Sequence, residues 1–240
     1  MNIKLSFLRF FMRMAAIMMA AMSFTACLEL ENDNDENEGG GDSGKRLKTV
    51  LLISPDSQDM RTEYSYNSDG TLNRYDNYLD ASTTHFLYCI ITNNSDGTMA
   101  RHELHQVDIP MITVSEYTYD NNKKPLKMEG SSLWDSNVVS TITVDFTFQS
   151  GRKTREVQKS YAGMLVEEVQ RVFNYDGNGR RTTVVETSNG KTRQITRTYR
   201  SDGTLEKVTY PDFDNTMTYT HIFTWENGKT TFNWEDFMVY

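Results

Sequence analysis

Four histidines, two cysteines and three tryptophans are the residues of this 240-residue chain best suited to chemistry or ligand contact. His102-Glu103-Leu104-His105 has the residue types of a zinc-protease motif. That motif sets two histidines at i and i+4 on a helix, with the glutamate as base. Here the spacing is three and the setting is a strand, which sends the two imidazoles to opposite faces. Exposed strand histidines are therefore expected, and no metal site is assigned. His85 and His221 have no paired ligand. No G-x-S-x-G, phosphate loop or dinucleotide fingerprint occurs, so no catalytic residue is nominated. A Ser-His-Asp triad is recognised by geometry, so a hydrolase stays open as the lesser alternative to a non-enzyme. Cys89 lies in the apolar run Phe86-Leu87-Tyr88-Cys89-Ile90-Ile91 and reads as an inert small hydrophobe. Trp134, Trp225 and Trp234 could stack on sugar faces or anchor a protein partner. They are equally good strand residues that pack across a sheet. Trp134 is preferred for binding because it flanks a turn at Asp135 to Asn137.

The other cysteine, Cys27, belongs to a different kind of chemistry. Residues 1–26 carry Lys4, Arg9 and Arg13 with no acid, then an apolar run from Met14 to Met22, then small residues. That order is a secretory signal, and the apolar run is too short for the ~20 residues of a membrane-crossing helix. Phe24-Thr25-Ala26-Cys27 resembles the lipobox of bacterial lipoproteins, with Phe24 in place of the usual Leu or Val. Lipidation of Cys27 is expected, and its acyl chains would anchor the chain to a membrane at ~0.8 kcal/mol per buried methylene. With Cys27 so used, Cys89 has no partner for an intramolecular disulfide.

Residues 27–46 read as an acidic, glycine-rich disordered tether. The stretch from Leu28 to Gly44 holds seven acids and no base. Its carboxylates lack the glycine and closing glutamate of an EF-hand, so no calcium is assigned. Without the signal the chain has 22 basic and 33 acidic residues, net −11. From Lys45 onward the balance is 22 to 26, net −4, so most of the acidity belongs to the tether. A body with interspersed charges offers no basic stripe, and nucleic acid is not an expected partner.

The body, residues 47–240, repeats one phrase about seven times: an aromatic-rich strand, a tight turn, then a strand rich in Thr, Lys and Arg. Examples are Tyr64-Ser65-Tyr66 before Ser68-Asp69-Gly70-Thr71, and Phe173-Asn174-Tyr175 before Gly177-Asn178-Gly179-Arg180. The turns fall at positions 70, 97, 124, 151, 179, 203 and 228, spaced by 27, 27, 27, 28, 24 and 25. Asp-Gly and Asn-Gly pairs suit two-residue hairpin turns. Weaker turns lie between them, among them Asp80-Ala81-Ser82, Ala162-Gly163 and Asn189-Gly190. Thirteen turns predict about fourteen strands in an all-β, antiparallel up-and-down meander, either one curved sheet or a soluble barrel. Ile142, Val144, Phe146 and Phe148 share one face of their strand by the period of two. Arg152–Lys159 and Lys191–Arg197 are polar on both faces, and a lipid-facing Arg or Lys costs ~2–4 kcal/mol, which argues against a membrane-spanning barrel.

Phe173-Asn174-Tyr175-Asp176-Gly177-Asn178-Gly179-Arg180 resembles the YD repeat of Rhs-type surface and toxin-shell proteins. Tyr117-Thr118-Tyr119-Asp120-Asn121-Asn122 is a looser copy. The acidic run behind Cys27 resembles the surface-export signal of Bacteroidetes lipoproteins. Together these features resemble a group of uncharacterised Bacteroidetes surface lipoproteins described as porin-like, over nearly all of residues 48–240. The resemblance implies a many-stranded β-meander and carries no catalytic residue. The expected protein is a non-catalytic binding module for a glycan or envelope protein, without cofactor. It would be lipid-anchored in the outer membrane and face the exterior, with the periplasmic face as the alternative. An assembly partner of an outer-membrane complex is the second reading.

Overall fold

A computed structural model describes residues 44–55, 58–79, 82–228 and 230. Cys27, the signal and nearly all of the tether lie outside them, as does Trp234. The strands are β1 (Lys45–Ile53), β2 (Met60–Tyr66), β3 (Leu72–Leu79), β4 (His85–Asn93), β5 (Met99–Gln106), β6 (Met111–Tyr119) and β7 (Pro125–Trp134). They continue as β8 (Asn137–Gln149), β9 (Arg152–Tyr161), β10 (Leu165–Tyr175), β11 (Arg181–Ser188), β12 (Lys191–Tyr199), β13 (Leu205–Pro211) and β14 (Thr218–Asn227). Each pairs antiparallel with the next, and β14 returns to β1, from Lys45↔Asn227 to Ile53↔Thr220. The meander is thus a closed barrel, and closure removes the sheet's open edges. β1 starts at Lys45, so Lys45 and Arg46 belong to the barrel rather than to the tether expected over 27–46.

Fourteen strands agree with expectation, but one turn is placed differently. The first break falls at Ser54 to Asp59, closed by the Ser54 N–H on Asp59 Oδ1 at 3.0 Å. It contains no glycine, so a search led by glycine turns reads through it. At the other end β14 finishes at Asn227, and the Gly228 N–H bonds the Gly44 carbonyl at 2.7 Å. The start of β1 and the finish of β14 therefore share one end of the barrel, the near end. The β7–β8 and β9–β10 turns lie at the other, the far end.

The Asp-Gly turns of the near end are not two-residue turns. Gly70 N–H bonds Asn67 O and Asn67 N–H bonds Thr71 O, with Gly70 alone at φ 90°. This is a type I turn followed by a left-handed glycine. Asp69 Oδ1 accepts from both the backbone and the hydroxyl of Thr71, and Asp96–Thr98 and Asp202–Thr204 repeat the arrangement. Two-residue turns occur instead at Asp135-Ser136, Ser150-Gly151 and Asn189-Gly190, where both residues have positive φ.

Before each near-end turn the register slips by one residue, at Tyr66, Asn93, Tyr119, Phe148, Tyr175 and Tyr199. The bulge re-aims the last side chain of the strand. Tyr66, Tyr119, Tyr175 and Tyr199 donate their hydroxyls to the carbonyls of Leu47, Met99, Lys153 and Arg181, at 2.7 to 2.8 Å. The Asn93 amide and the Trp225 indole N–H donate likewise to the carbonyls of Leu72 and Leu205. The recurring aromatic is thus a cap that satisfies a backbone acceptor at the start of the preceding strand.

A barrel of fourteen strands approaches the size at which porins leave an aqueous lumen. Here the inner positions are sealed: Leu47, Cys89, Met128, Val184, Ile195 and Val208, from six strands, have 0% exposure. An open channel would leave such side chains wet. The outer wall carries threonines and charges, including Arg61, Arg74, Lys127, Arg155 and Lys159 at positions that alternate with buried ones. That wall is unsuited to acyl chains.

Candidate binding surface

The two strands that read as polar on both faces turn part of their charge inside, at Lys153, Glu156 and Arg197. Glu156 of β9 receives Lys153 Nζ at 3.2 Å and Arg171 at 2.7 Å. Arg171 Nε also bonds Glu186 at 2.7 Å, and Glu186 accepts Arg193 Nε at 2.6 Å. Phe173 lies between two further cationic contacts, with Lys153 Nζ at 4.7 Å and the Arg181 guanidinium at 4.6 Å from its centroid. Burial alone would raise the Glu156 carboxyl, but the Lys153 and Arg171 charges outweigh it and hold the group below its usual range. Lys153 and Glu156 are each 1% exposed. These buried carboxylates are paired with cations on neighbouring strands and tie β9, β10 and β11 together.

The histidines divide as strand geometry requires. His102 points into the barrel with Nδ1 2.9 Å from the Tyr117 hydroxyl, so it is buried rather than exposed as expected. His221 is likewise buried, with Nε2 3.1 Å from the Tyr210 hydroxyl. Burial lowers both imidazoles to about 4, so each is neutral at pH 7. His105 lies on the outer wall, stacked on Tyr88 with centroids 4.7 Å apart. Arg74 covers the Tyr88 ring from the neighbouring strand at 4.4 Å, and Arg61 covers Tyr78 at 4.9 Å. Tyr88 thus carries both His105 and Arg74, and Tyr78 carries Arg61. Cys89 is buried on the inner face, and burial raises its thiol to about 12. The sequence expectation of an inert cysteine agrees with this setting.

The two described tryptophans lie at opposite ends of the barrel. Trp225 lies at the near end, where its indole N–H bonds the Leu205 carbonyl at 2.8 Å. Its place in the ring of caps gives it a structural role. Trp134 ends β7 at the far end and pairs with Asn137 across a turn with φ of 46° at Asp135 and 67° at Ser136. Its ring packs against the core.

Around Trp134 the far end carries an apolar surface that sequence reading did not single out. Val138 and Val139 follow the β7–β8 turn at 60% and 48% exposure. Met164, Leu165 and Val166 follow the β9–β10 turn at 75%, 50% and 59%. Thr141 pairs with Tyr161 just beneath, which joins the two hairpin tips side by side. Five large apolar side chains are thus exposed on adjacent tips, and concentrations of exposed apolar residues mark interaction sites. The only signal in the sequence is Met164-Leu165-Val166 directly after a turn, where polar residues are usual.

No protein-family profile matches the chain, and no curated protein matches it. Among solved structures it is similar to a porin-like protein from Bacteroides vulgatus, with a TM-score of 0.50 and 10% identity, over 75% of this chain and 98% of that one. It is also similar to a porin-like protein from Bacteroides uniformis, with a TM-score of 0.46 and 12% identity, over 75% and 96%. A chain of the TcdB2-TccC3 structure matches at a TM-score of 0.39 and 10% identity, over 75% of this chain and 11% of that one. At such identities the likeness is one of fold.

Proposed function

We propose that the chain is a lipid-anchored, non-catalytic binding protein of the bacterial outer membrane that docks an envelope protein through its far-end hairpin tips. The exposed cluster of Val138, Val139, Met164, Leu165 and Val166 carries this reading. Aliphatic and thioether side chains suit an apolar protein surface. Glycan recognition calls for open aromatic faces and polar groups, and the outer rings Tyr78 and Tyr88 are covered. A non-enzyme is supported by the placement of His102, His221 and Cys89 inside a sealed wall.

In this reading residues 1–26 direct export, Cys27 carries the lipid and the acidic segment behind it directs the protein to the outer face. The tether joins the barrel at the near end, where β1 begins, opposite the apolar tips. Cys27→Ser is expected to release the protein from the membrane fraction. In intact cells, external protease should cleave the anchored form, whereas resistance would favour the periplasmic face.

The docking surface is tested by a photo-crosslinking residue at position 139 of the full chain, with position 196 on the outer wall as control. A discrete protein adduct from 139 and none from 196 is the expected result. Equal adducts at both positions, or none at 139, would reject it. A carbohydrate that binds equally well after Val138→Ser and Leu165→Ser would shift the reading to a glycan receptor.

A further inference from the structure

We propose that Met164 is an oxidation site that switches docking off, an inference that rests on the far-end binding surface described above. Met164 ends the Ala162-Gly163-Met164 turn, held by the Ala162 N–H on the Met164 carbonyl at 3.0 Å. Its side chain is 75% exposed, the highest value among the exposed large apolar residues. Met99, Met111 and Met128 are sealed inside the barrel wall at 1%, 6% and 0%. A dissolved peroxide therefore reaches Met164 while the inner methionines are shielded. Met217, at 39% on the β13–β14 turn, is the next most accessible of these.

The reaction is a two-electron oxygen transfer. A lone pair of the Met164 sulfur attacks the peroxide, the O–O bond breaks and an S–O bond forms. The departing hydroxide takes up a proton to leave as water, so the sulfur is oxidised and the peroxide reduced. The product replaces a flexible apolar side chain with a polar, chiral sulfoxide. Among Val138, Val139, Leu165 and Val166 that dipole has no apolar-compatible partner once a docked protein excludes water. Methionine sulfoxide reductase, drawing on a thiol reductant, restores the thioether.

The test treats the full chain with dilute hydrogen peroxide and maps the added oxygen by mass spectrometry, alongside crosslinking from position 139. Oxygen is expected to appear at Met164 at least fivefold faster than at Met99, Met111 or Met128. The adduct from position 139 should fall at least tenfold after oxidation and return when methionine sulfoxide reductase with a dithiol reduces the oxidised protein. Uniform oxidation of the four methionines overturns the site. An undiminished adduct after full oxidation of Met164 overturns the switch alone, and no adduct before oxidation overturns the docking reading together with it.

Discussion

His102 and His221 are neutral inside the barrel because burial lowers their imidazoles from 6.5 to about 4. The unfolded chain takes up these protons near pH 6.5 and the folded chain only near pH 4. Stability is therefore complete above pH 6.5 and declines as the pH falls toward 4, by up to about 3 kcal/mol for each residue. Thermal unfolding midpoints should fall across that window, and a double His102→Gln/His221→Gln variant should flatten the slope. The same slope in the variant would exclude the histidines as its cause. A second residue-level prediction concerns Glu186, which Arg171 and Arg193 share. Glu186→Gln removes the carboxylate between buried Arg171, which keeps Glu156, and half-buried Arg193, and should cost about 3 kcal/mol in denaturant unfolding. Glu129→Gln, which removes the exposed partner of Lys127, should cost less than about 1 kcal/mol. The inertness of Cys89 was legible from its apolar neighbours. The burial of His102 was not, because alternation separates His102 from His105 without saying which face is inner.

Among the hairpins, the residue at the bulge before each near-end turn, an aromatic everywhere but at Asn93, does two jobs. It occupies the bulge, and in four cases its hydroxyl satisfies a carbonyl on the preceding strand. Phe148 occupies the same position with no polar atom to donate. Tyr66→Phe, Tyr119→Phe and Tyr175→Phe should each lose about 1 kcal/mol, and the triple variant roughly the sum, since distant sites add. A triple variant that unfolds at the native denaturant concentration would show that the caps contribute nothing. The repeat period and the strands around it were readable because turn residues and alternation act locally. The bulges were not, because a register slip is a relation between two strands. Glycine chemistry also misdirected the turn type: Gly70 was expected in a two-residue turn and instead follows a type I turn.

Taken whole, the molecule is a fourteen-stranded barrel with a filled interior and a polar wall. Its fold resembles that of proteins described as porin-like, yet its inner side chains leave no water path among the described residues. Purified barrel added to a planar lipid bilayer should give no single-channel conductance, and discrete openings would contradict the sealed interior. The two faces of β9 explain how a strand dense in charge fits: Glu156 and Gln158 turn inward to accept from Arg171, Lys153 turns inward to Glu156, and Arg155 and Lys159 face solvent.

By itself the sequence determined the all-β class, the approximate number of strands and the hairpin repeat. Those follow from φ preferences at turns and from side-chain alternation, which neighbouring residues settle among themselves. Only the tertiary structure decided that β1 and β14 meet to close the wall, that Glu156, Arg171 and Glu186 find one another inside it, and that Val138 and Met164 lie on neighbouring tips. Each of these depends on segments distant in the chain, where the free energy of contact is set by closure and register rather than by local residue type.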